Sequence, residues 1–413
     1  MSEEPQKIPV WLWLALVAAG VLAITMGARQ SLGLFVSPLN TATGLGIANI
    51  SLAMAIGQFM WGAVQPVAGA VADHHGPGRV LATGVVLLAA SFVLTPFMHS
   101  TLGLSLVLGM LMACGSGSAA FSVLIGSVAQ QVPNRQRGMV AGIINAGGSF
   151  GQFIFAPIVQ GLIQVLGWMG ALWALAGITL VALPATRLLR RSGGKDAGAP
   201  VAAHEAGGLR QALREALGDR SYLLLHAGFF TCGFHIAFLV THLPGEVSLC
   251  GLPAGVASWS LAIIGLSNVF GSLIAGWAVQ RWRCKMVLFA MYGSRALLIL
   301  AYMALPKTAL TFYLFAVGLG MTWLATVPPT AGIVGKLFGT RYMATLFGLT
   351  LLSHQAGGFL GAWLGGLAIV HWGSFTPMWL ADAALAAAAA FVNLPIREPI
   401  PSVRKTGAPV VSD

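Results

Sequence analysis

Long runs of apolar residues, separated by short breaks of glycine, proline and charged residues, make up most of the chain. A helix needs about 20 consecutive apolar residues to cross a bilayer. The pattern predicts twelve such segments, with approximate bounds 11–36, 48–72, 79–98, 102–130, 137–165, 168–189, 221–245, 254–280, 285–305, 308–333, 341–370 and 374–394. It therefore predicts an all-α protein that crosses a membrane many times.

One segment in the middle of the chain, residues 190–220, breaks this pattern. It begins with a Gly/Ala/Pro-rich stretch and ends in a short amphipathic helix, which is typical of a linker whose helix lies along the membrane face. The prediction is a six-helix bundle over 1–189, a cytoplasmic linker over 190–220, and a six-helix bundle with a tail over 221–413. Two landmarks recur at nearly one separation and indicate internal duplication: Gly69 to Asp73 with Gly276 to Gln280, and Gly142 with Gly348.

Composition and charge support a membrane protein. Of the 413 residues, 57% are apolar and only 8% are charged, whereas a soluble domain carries roughly 25% charged residues. The net charge of +11 arises from lysines and arginines in breaks on one side of the predicted bilayer. By the positive-inside rule, both termini are expected in the cytoplasm, and no nucleic-acid partner is implied. The first apolar run has no cleavage signal, so we expect a retained helix in a bacterial inner membrane.

The sequence lacks the common patterns of catalytic and metal centres. The four cysteines are scattered without CxxC spacing or a nearby histidine pair, and the sequence contains no Walker, GxSxG or HExxH motif. These patterns carry ATP hydrolysis, acyl transfer and metal-assisted hydrolysis. We therefore expect neither an enzyme nor an ATP-driven pump, and no cofactor or metal.

The stretch GAVADHHGPGRVL resembles the loop between helices 2 and 3 of the major facilitator superfamily, with Gly69, Asp73, Gly76 and Arg79 at matching positions. Together with the twelve spans and the basic central linker, the resemblance covers the whole chain. It implies two pseudo-symmetric six-helix bundles that rock about a site at their interface. It also implies a gating role for Asp73, Arg79 and Arg135, in which Asp73 accepts hydrogen bonds from a helix N-terminus and pairs with arginines.

A finer resemblance is to the monocarboxylate-porter and oxalate:formate antiporter branch of that superfamily. In the first span, GARQSLGLFVSPL is similar to the K-S-x-x-V-F pattern of the branch, with Ser31 and Phe35 in register. The lysine of the branch falls on Gln30, one residue after Arg29. In the eighth span, AIIGLSNVFGSLIAG is similar to I-G-F-x-D-x-x-x-R-P, with Asn268 at the aspartate position. The resemblance implies a small organic anion, such as a monocarboxylate, as the substrate.

Polar residues inside the apolar spans are the candidates for substrate binding, because an ionisable group in a bilayer is unfavourable unless it faces a cavity or a partner. The planar guanidinium of Arg29 suits a carboxylate. With His235 and His354, Arg29 is expected to form a positive cavity near mid-membrane. Neutral hydrogen bonds are expected from Asn145, Gln152, Asn268 and Gln355, and an apolar wall from Phe35, Phe121 and Trp323.

Packing between helices is the alternative for each of these polar side chains. It is the role we expect for Gln58 and Gln65 in the second span. For Arg295 in the ninth span, we expect a structural role or a side chain that snorkels to the membrane surface.

His235, Glu246 and His354 are the candidates for proton coupling, since imidazole titrates near neutral pH. Only three of the eleven acids, Asp73, Glu246 and Asp382, fall in predicted helices, and none of them is central in the first, fourth, eighth or tenth span. Coupling therefore uses one of these candidates or a protonated substrate; without coupling, the protein is an exchanger or a facilitator.

Two further functions stay open at this point. Export of an amphipathic or drug-like compound predicts a larger cavity and tolerance of Arg29→Ala. A transport-like membrane sensor or partner subunit predicts ligand binding without flux. In either case a monomer in a lipid bilayer is expected.

Overall fold

The computed structural model of the protein describes residues 9–129, 137–189, 208–339 and 343–398, and none of these residues lies in a strand. The amino-terminal bundle contains six spanning helices: α1 (Val10–Gln30), α2 (Ile47–His75), α3 (Pro77–Leu94), α4 (the pieces Thr101–Leu104, Ser105–Leu111, Met112–Ser118 and Phe121–Ala129), and α5 and α6, which together form Arg137–Leu180. Shorter helical pieces follow α1, α3 and α6: Leu32–Phe35, Val36–Thr43, Thr95–Phe97 and Leu183–Leu188.

The carboxyl-terminal bundle contains the other six spanning helices: α7 (Arg220–Leu249), α8 (Ala254–Arg281), α9 (Cys284–Ala304), α10 (Ala309–Thr322 and Val327–Phe338), α11 (Met343–Trp372) and α12 (Thr376–Asn393). The amphipathic helix Gly208–Gly218 precedes α7. We call the end of the molecule that carries this helix the linker side, and the opposite end the far side.

The twelve spans follow from length and composition. Nine described helical stretches are long and apolar enough to cross a membrane. One of them, Val140–Leu188, has 49 residues and turns at Gly167, where φ is 69°, a backbone conformation that favours glycine. This turn divides α5 from α6. The helices α11 and α12 add two spans, whose apolar runs are interrupted by His354 and Asp382. Within the described residues, twelve spans in two six-helix bundles are therefore confirmed.

The helix α10 is interrupted in the middle of the membrane. Residues 323–326 are not helical, and the second piece begins with proline in its first turn. Proline lacks a backbone N–H and is favoured at the start of a helix. The break leaves backbone carbonyl groups without helical partners and places Trp323 and Leu324 beside the interface between the bundles.

The two bundles meet mainly where α2 packs on α11 and α5 packs on α8. Along α2, Ser51 approaches Gly366, and Gly62 approaches Gln355. These contacts run from the middle of α2 toward the far side. One turn nearer the linker side, Gln65 accepts a hydrogen bond from Ser122 of its own bundle at 3.3 Å. The bundles are thus joined over the far half of α2.

The extension of α1 makes the closest backbone approach to the other bundle. A side chain at Gly33 would overlap the carbonyl oxygen of Val240 on α7. Only glycine allows two backbones to come this close. The contact between Gly33 and Val240 separates two cavities that lie on either side of it.

Candidate functional site

A central cavity lies between the two bundles. Helices α1, α2 and α4 form one wall, and α7, α10 and α11 form the other. The wall is mostly apolar with a few polar groups, as is usual where proteins bind small molecules. The lining residues are Met26, Arg29, Gln30, Leu32, Gly33, Met54, Gly57, Gln58, Trp61, Met112, Ile236, Val240, Thr241, Trp323, Leu324 and His354.

Arg29 brings a permanent positive charge to this cavity. It lies at the end of α1 and is 8% exposed. One guanidinium nitrogen donates a hydrogen bond to Gln58, and the guanidinium carbon lies 4.4 Å from the centre of the Trp61 ring. Its Nε has no hydrogen-bond partner among the described residues. The described residues that line the cavity include no aspartate or glutamate, so the charge of Arg29 is stabilised by a neutral amide and an aromatic face alone.

His354 faces the same cavity from α11. Its position is fixed because Gly233 of α7 packs directly against the His354 backbone. The His354 ring lies 4.9 Å from the ring of Phe229. Neither imidazole nitrogen has a hydrogen-bond partner among the described residues, although the Cys232 thiol lies nearby. A buried imidazole without partners is available to a ligand in the cavity.

Asn268 lies outside the cavity and joins three helices. Its amide donates to Ser149 Oγ at 2.9 Å, and its carbonyl accepts from the Leu324 backbone N–H at 3.0 Å. The side chain is fully buried. These bonds connect α8 to α5 and to the break in α10, an arrangement that agrees with the packing role named as the alternative; substrate binding by Asn268 stays a prediction.

The other neutral candidates also lie outside the cavity lining. Asn145 is exposed on α5. Gln152 is buried on the same helix, with no partner for Nε2 among the described residues, and Gln355 packs on Gly62 with no partner for Oε1. The spacing of polar residues along each helix could not fix which of them point inward.

The cavity wall differs from the expected one in its other members too. Trp323 lines it as predicted, but Phe35 and Phe121 lie in the packed interior instead. Gln58 and Trp61, one helical turn apart on α2, line it without having been predicted to do so. The signal for Gln58 was its polarity within an apolar span, which we had assigned to packing.

His235 lies behind Trp323, inside the carboxyl-terminal bundle. Its Nδ1 is hydrogen-bonded to Asp382 of α12, and both side chains are 0% exposed. The His235 and Trp323 rings are 6.0 Å apart. Arg295 of α9 is also fully buried, so it does not snorkel; one of its nitrogens donates to the carbonyl oxygens of Thr322 and Trp323 at the break in α10. Sequence reasoning missed Asp382, although an acid in an alanine-rich span was a signal.

Glu246 lies at the far end of α7, away from the central cavity. It accepts a hydrogen bond from the Tyr302 hydroxyl at 2.8 Å. The ammonium group of Lys307, in the loop after α9, lies 3.7 Å from the centre of the Tyr302 ring. Burial lowers the pKa of Lys307, and Glu246 acts in the opposite direction. The third candidate for proton coupling thus belongs to a separate polar cluster.

The predicted gating residues are only partly described. Arg135 lies outside the described residues, and of Asp73 only the backbone, in the last turn of α2, is described. Arg79 is exposed at the start of α3, where it lines a small cleft with Thr186 and Arg187. Their gating role stays a prediction.

An ion pair lies at the linker side of the carboxyl-terminal bundle. Glu398 accepts hydrogen bonds from the Cys284 and Lys285 backbone N–H groups at 2.9 and 3.1 Å, and Lys336 lies 2.5 Å from Oε1. Glu398 therefore caps the start of α9. Burial acts to raise the pKa of Glu398, but the hydrogen bonds from Lys336 and the two N–H groups hold it below its ordinary value.

A second cavity lies on the far side of the contact between Gly33 and Val240. The extension of α1 and helices α5, α7 and α8 form most of its lining, and His242 reaches it from α7. The His242 imidazole is hydrogen-bonded to the Ala362 carbonyl oxygen at 2.7 Å. The central cavity and the far-side cavity are aligned along the interface between the bundles, as expected of a pathway across the membrane.

Two six-helix bundles with a mostly apolar cavity at their interface are the architecture of a membrane transporter. Residues 18–362 match the family model of the Major Facilitator Superfamily. Because this match spans most of the chain, the protein belongs to that superfamily, and it is a transporter and not an enzyme.

Relatives of known name share the length of the chain. Monocarboxylate transporter 13 of Rattus norvegicus is 26% identical, over 93% of this chain and 89% of that protein. Monocarboxylate transporter 11 of Homo sapiens is also 26% identical, over 97% and 87%. The uncharacterized MFS-type transporter YcxA of Bacillus subtilis is 23% identical, over 87% and 88%.

Solved structures with the same fold include those of two transporters. A bacterial homologue of the human lysosomal transporter Spinster, in an inward-facing and occupied conformation, superimposes with a TM-score of 0.68 at 13% identity, over 94% of each chain. The D-xylose–proton symporter superimposes with a TM-score of 0.68 at 14% identity, over 94% of this chain and 96% of that one. At these identities, the likeness concerns the fold.

Proposed function

We propose that the protein transports a small organic anion of the monocarboxylate type through the central cavity. The observation that carries this proposal is Arg29, a buried cation in a cavity whose described lining contains no acid. A buried charge without a counter-ion is unfavourable, and an anionic substrate would supply the missing partner. The names of the monocarboxylate transporters among the relatives favour the same substrate class.

The cavity has the groups that such a substrate needs. The free Nε of Arg29 can donate to a carboxylate, and the unpartnered imidazole of His354 can donate from the opposite bundle. Met26, Met54 and Ile236 provide an apolar surface for a short carbon chain. A substrate held by both bundles would couple their relative movement to binding, since each bundle contributes one of its two polar contacts.

Orientation and domain division complete the proposal. The basic residues of the breaks favour a cytoplasmic linker side in a bacterial inner membrane, with both termini in the cytoplasm. Residues 1–189 and 221–413 are then the two moving units, joined by the linker 190–220. Contact between the bundles over the far half of α2 supports an inward-facing state. A complete cavity within one chain favours a functional monomer.

Uptake into proteoliposomes tests the proposal. A labelled panel of acetate, lactate, pyruvate, oxalate and succinate is presented to the wild type, Arg29→Gln and His354→Ala. We expect saturable uptake of at least one monocarboxylate, reduced at least about tenfold by Arg29→Gln, the loss that removal of one charge-assisted hydrogen bond would cause. Arg281→Gln is the matched control, because Arg281 also stacks on a tryptophan, Trp277, at 4.2 Å but lies at the exposed end of α8.

The other outcomes assign the other functions. Uptake that survives Arg29→Gln at the wild-type rate contradicts the proposal. Movement of amphipathic cations without any carboxylate would favour an exporter. Saturable carboxylate binding to the purified protein without flux would favour a sensor or partner subunit.

A further inference from the structure

The cluster of ionisable residues behind Trp323 has no contact with the central cavity and needs its own explanation. It joins His235 of α7, Arg295 of α9 and Asp382 of α12, all fully buried. Each carries polar atoms without a hydrogen-bond partner among the described residues: His235 Nε2, Asp382 Oδ1, and Arg295 Nε and Nη1. A static structural cluster would be expected to satisfy these atoms. Unused donors and an unused acceptor in one place indicate that the cluster has a second arrangement.

We infer that the His235–Asp382 pair is the binding site of a proton that is coupled to substrate movement. The inference rests on the proposed function, because a coupled proton needs a substrate to accompany. Of the three candidates for proton coupling, it selects His235, and it adds Asp382 as the carboxylate partner of His235. In the deprotonated pair, the neutral imidazole of His235 donates from Nδ1–H to the Asp382 carboxylate, and the added proton goes to His235 Nε2, which has no partner among the described residues. The protonated pair therefore carries one more positive charge than the deprotonated pair.

The charge balance of the surroundings allows both states. The ionisable groups that lie around the pair in the described structure are Arg295 and Tyr292 on α9, Cys232 on α7 and His354 on α11. The described residues at the break in α10 contribute only neutral groups, such as the Thr326 hydroxyl. With Arg295 charged and Asp382 ionised, the cluster is neutral while His235 is neutral. A proton on His235 leaves a net charge of one.

Loss of the proton changes the partner of Asp382. While His235 carries the added proton, its imidazolium and the Asp382 carboxylate form an ion pair across the contact between Nδ1 and Oδ2. When His235 becomes neutral, Arg295 is the stronger partner, because its Nε and Nη1 are free and a charged donor binds a carboxylate more strongly than a neutral one. The protonation state of His235 thus determines whether α12 is bound to α7 through His235 or to α9 through Arg295.

Trp323 connects this choice to the substrate. Its indole lines the central cavity, and the His235 ring packs against the indole in a T-shaped contact, with 6.0 Å between the ring centres. Its backbone carbonyl accepts a hydrogen bond from Arg295 at 3.3 Å, at the end of the first piece of α10. Movement of Arg295 toward Asp382 removes this cap and releases the break in α10. A two-state element that both sites contact is the physical requirement for coupling.

Gradient-driven uptake and exchange separate the coupling role from a structural one. Asp382→Asn and His235→Gln keep the shape of the pair but not its proton chemistry. For the carboxylate that the wild type takes up, we expect proton-driven accumulation to fall at least about tenfold, within the usual range of coupling between sites, while exchange of labelled for unlabelled substrate persists. Asp219→Asn is the matched control, since Asp219 caps α7 at 2.9 Å and asparagine caps equally well.

A second measurement needs no substrate and therefore separates the two proposals. Infrared difference spectra of the purified full-length protein between pH 8 and pH 5 report protonation of buried carboxyl and imidazole groups. We expect a band in the wild type and in Asp219→Asn that is missing from Asp382→Asn and His235→Gln. A panel without any transported carboxylate, together with this band, would overturn the proposed substrate but not the proton site.

Two results overturn the proton site itself. One is proton-driven accumulation at the wild-type level in Asp382→Asn, or an unchanged infrared difference spectrum in that variant. The other is an equal loss of accumulation and exchange in both variants, because the pair would then serve folding or substrate binding.

Discussion

The two bundles each contain a buried arginine, and the two arginines differ in what surrounds them. Arg29 faces the central cavity, bound to an amide and an aromatic ring, with no acid in the described wall. Arg295 is enclosed in its own bundle, bound to two backbone carbonyls and close to His235, which is hydrogen-bonded to Asp382. The partner of Arg295 is part of the chain, whereas the partner of Arg29 has to come from outside.

This difference predicts that Arg29 contributes to substrate binding and Arg295 to the stability of the fold. A charge with built-in partners stabilises the folded state only as long as all of them are present, because removal of one leaves another buried and unpaired. A charge that faces a cavity can be removed with little loss of stability, since water fills the space and only the neutral Gln58 amide loses its partner. The same substitution should therefore reduce stability far more at Arg295 than at Arg29.

The largest expected effect is on stability, at Arg295. Arg295→Gln leaves Asp382 without its nearby cation and leaves the Thr322 and Trp323 carbonyls without their donor. We expect a loss of about 3–5 kcal/mol in the free energy of unfolding, the range for breaking a buried charge cluster. Arg29→Gln is the matched variant and should change stability by less than about 1 kcal/mol. Thermal and denaturant unfolding in detergent measures both.

Equal losses in the two variants would contradict the comparison, as would a stable Arg295→Gln protein. The first result would mean that Arg29 also has a structural partner. The second would mean that the carbonyl groups at the break in α10 find water or another donor.

The sequence predicted the spans far better than it predicted the site. Runs of apolar residues fix the twelve helices, because every backbone polar group in a bilayer has to be satisfied within a helix. The same runs do not fix the rotation of each helix about its own axis. In a soluble protein the polar face marks the outside, but in lipid both faces are apolar, so Asn145 and Gln152 could not be distinguished from Gln58 by pattern alone.

Charge was a better guide than polarity. Arg29 lies in the cavity wall, where a charged residue at that depth was expected because it has few alternatives, and its role in binding stays a prediction. The same argument would have found Asp382, which was passed over because it is not central in the first, fourth, eighth or tenth span. Its partner, His235, is 147 positions away in the chain, and only the packing of α7 on α12 brings them together.

A smaller effect is expected at Asn268, a neutral side chain with built-in partners. Asn268→Ala leaves the Leu324 N–H without its acceptor and the Ser149 hydroxyl oxygen without its donor. We expect a loss of about 1–3 kcal/mol in the free energy of unfolding, the usual result of leaving a buried polar group unsatisfied. Ser272→Ala, one turn further along α8, removes only a marginal hydrogen bond of 3.5 Å and is the control.

Transport kinetics distinguish the two roles of Asn268. A stable Asn268→Ala protein with a much higher KM for the substrate would favour the binding role that the sequence predicted. Lower stability with an unchanged KM would agree with the hydrogen bonds described above.

The smallest effect on stability is expected at the edge of the membrane, for the ion pair of Lys336 and Glu398. Like Arg295, these groups have partners within the chain, but the pair is also accessible to water. The Lys336 side chain is 30% exposed and that of Glu398 is 2% exposed. Because hydrogen bonds to the carboxylate lower the pKa of Glu398, the folded state gains stability from its ionised form. This gain is fully present above the pKa of an unfolded glutamate, about 4.3. It disappears as the pH falls through the lower pKa of the folded state.

Glu398→Gln should therefore be less stable than the wild type by about 1 kcal/mol at pH 7, a typical value for a charge-assisted hydrogen bond at a partly exposed site. The difference should narrow below about pH 4, the ordinary range of carboxyl titration. Unfolding midpoints measured from pH 7 down to pH 3 follow it, with Glu215→Gln, an exposed glutamate in the linker helix, as the control. A stability difference that stays constant to pH 3 would mean that the cap on α9 depends on the shape of Glu398 and not on its charge. The stability contributed by an ion pair would then depend less on its access to water than on its partners within the chain.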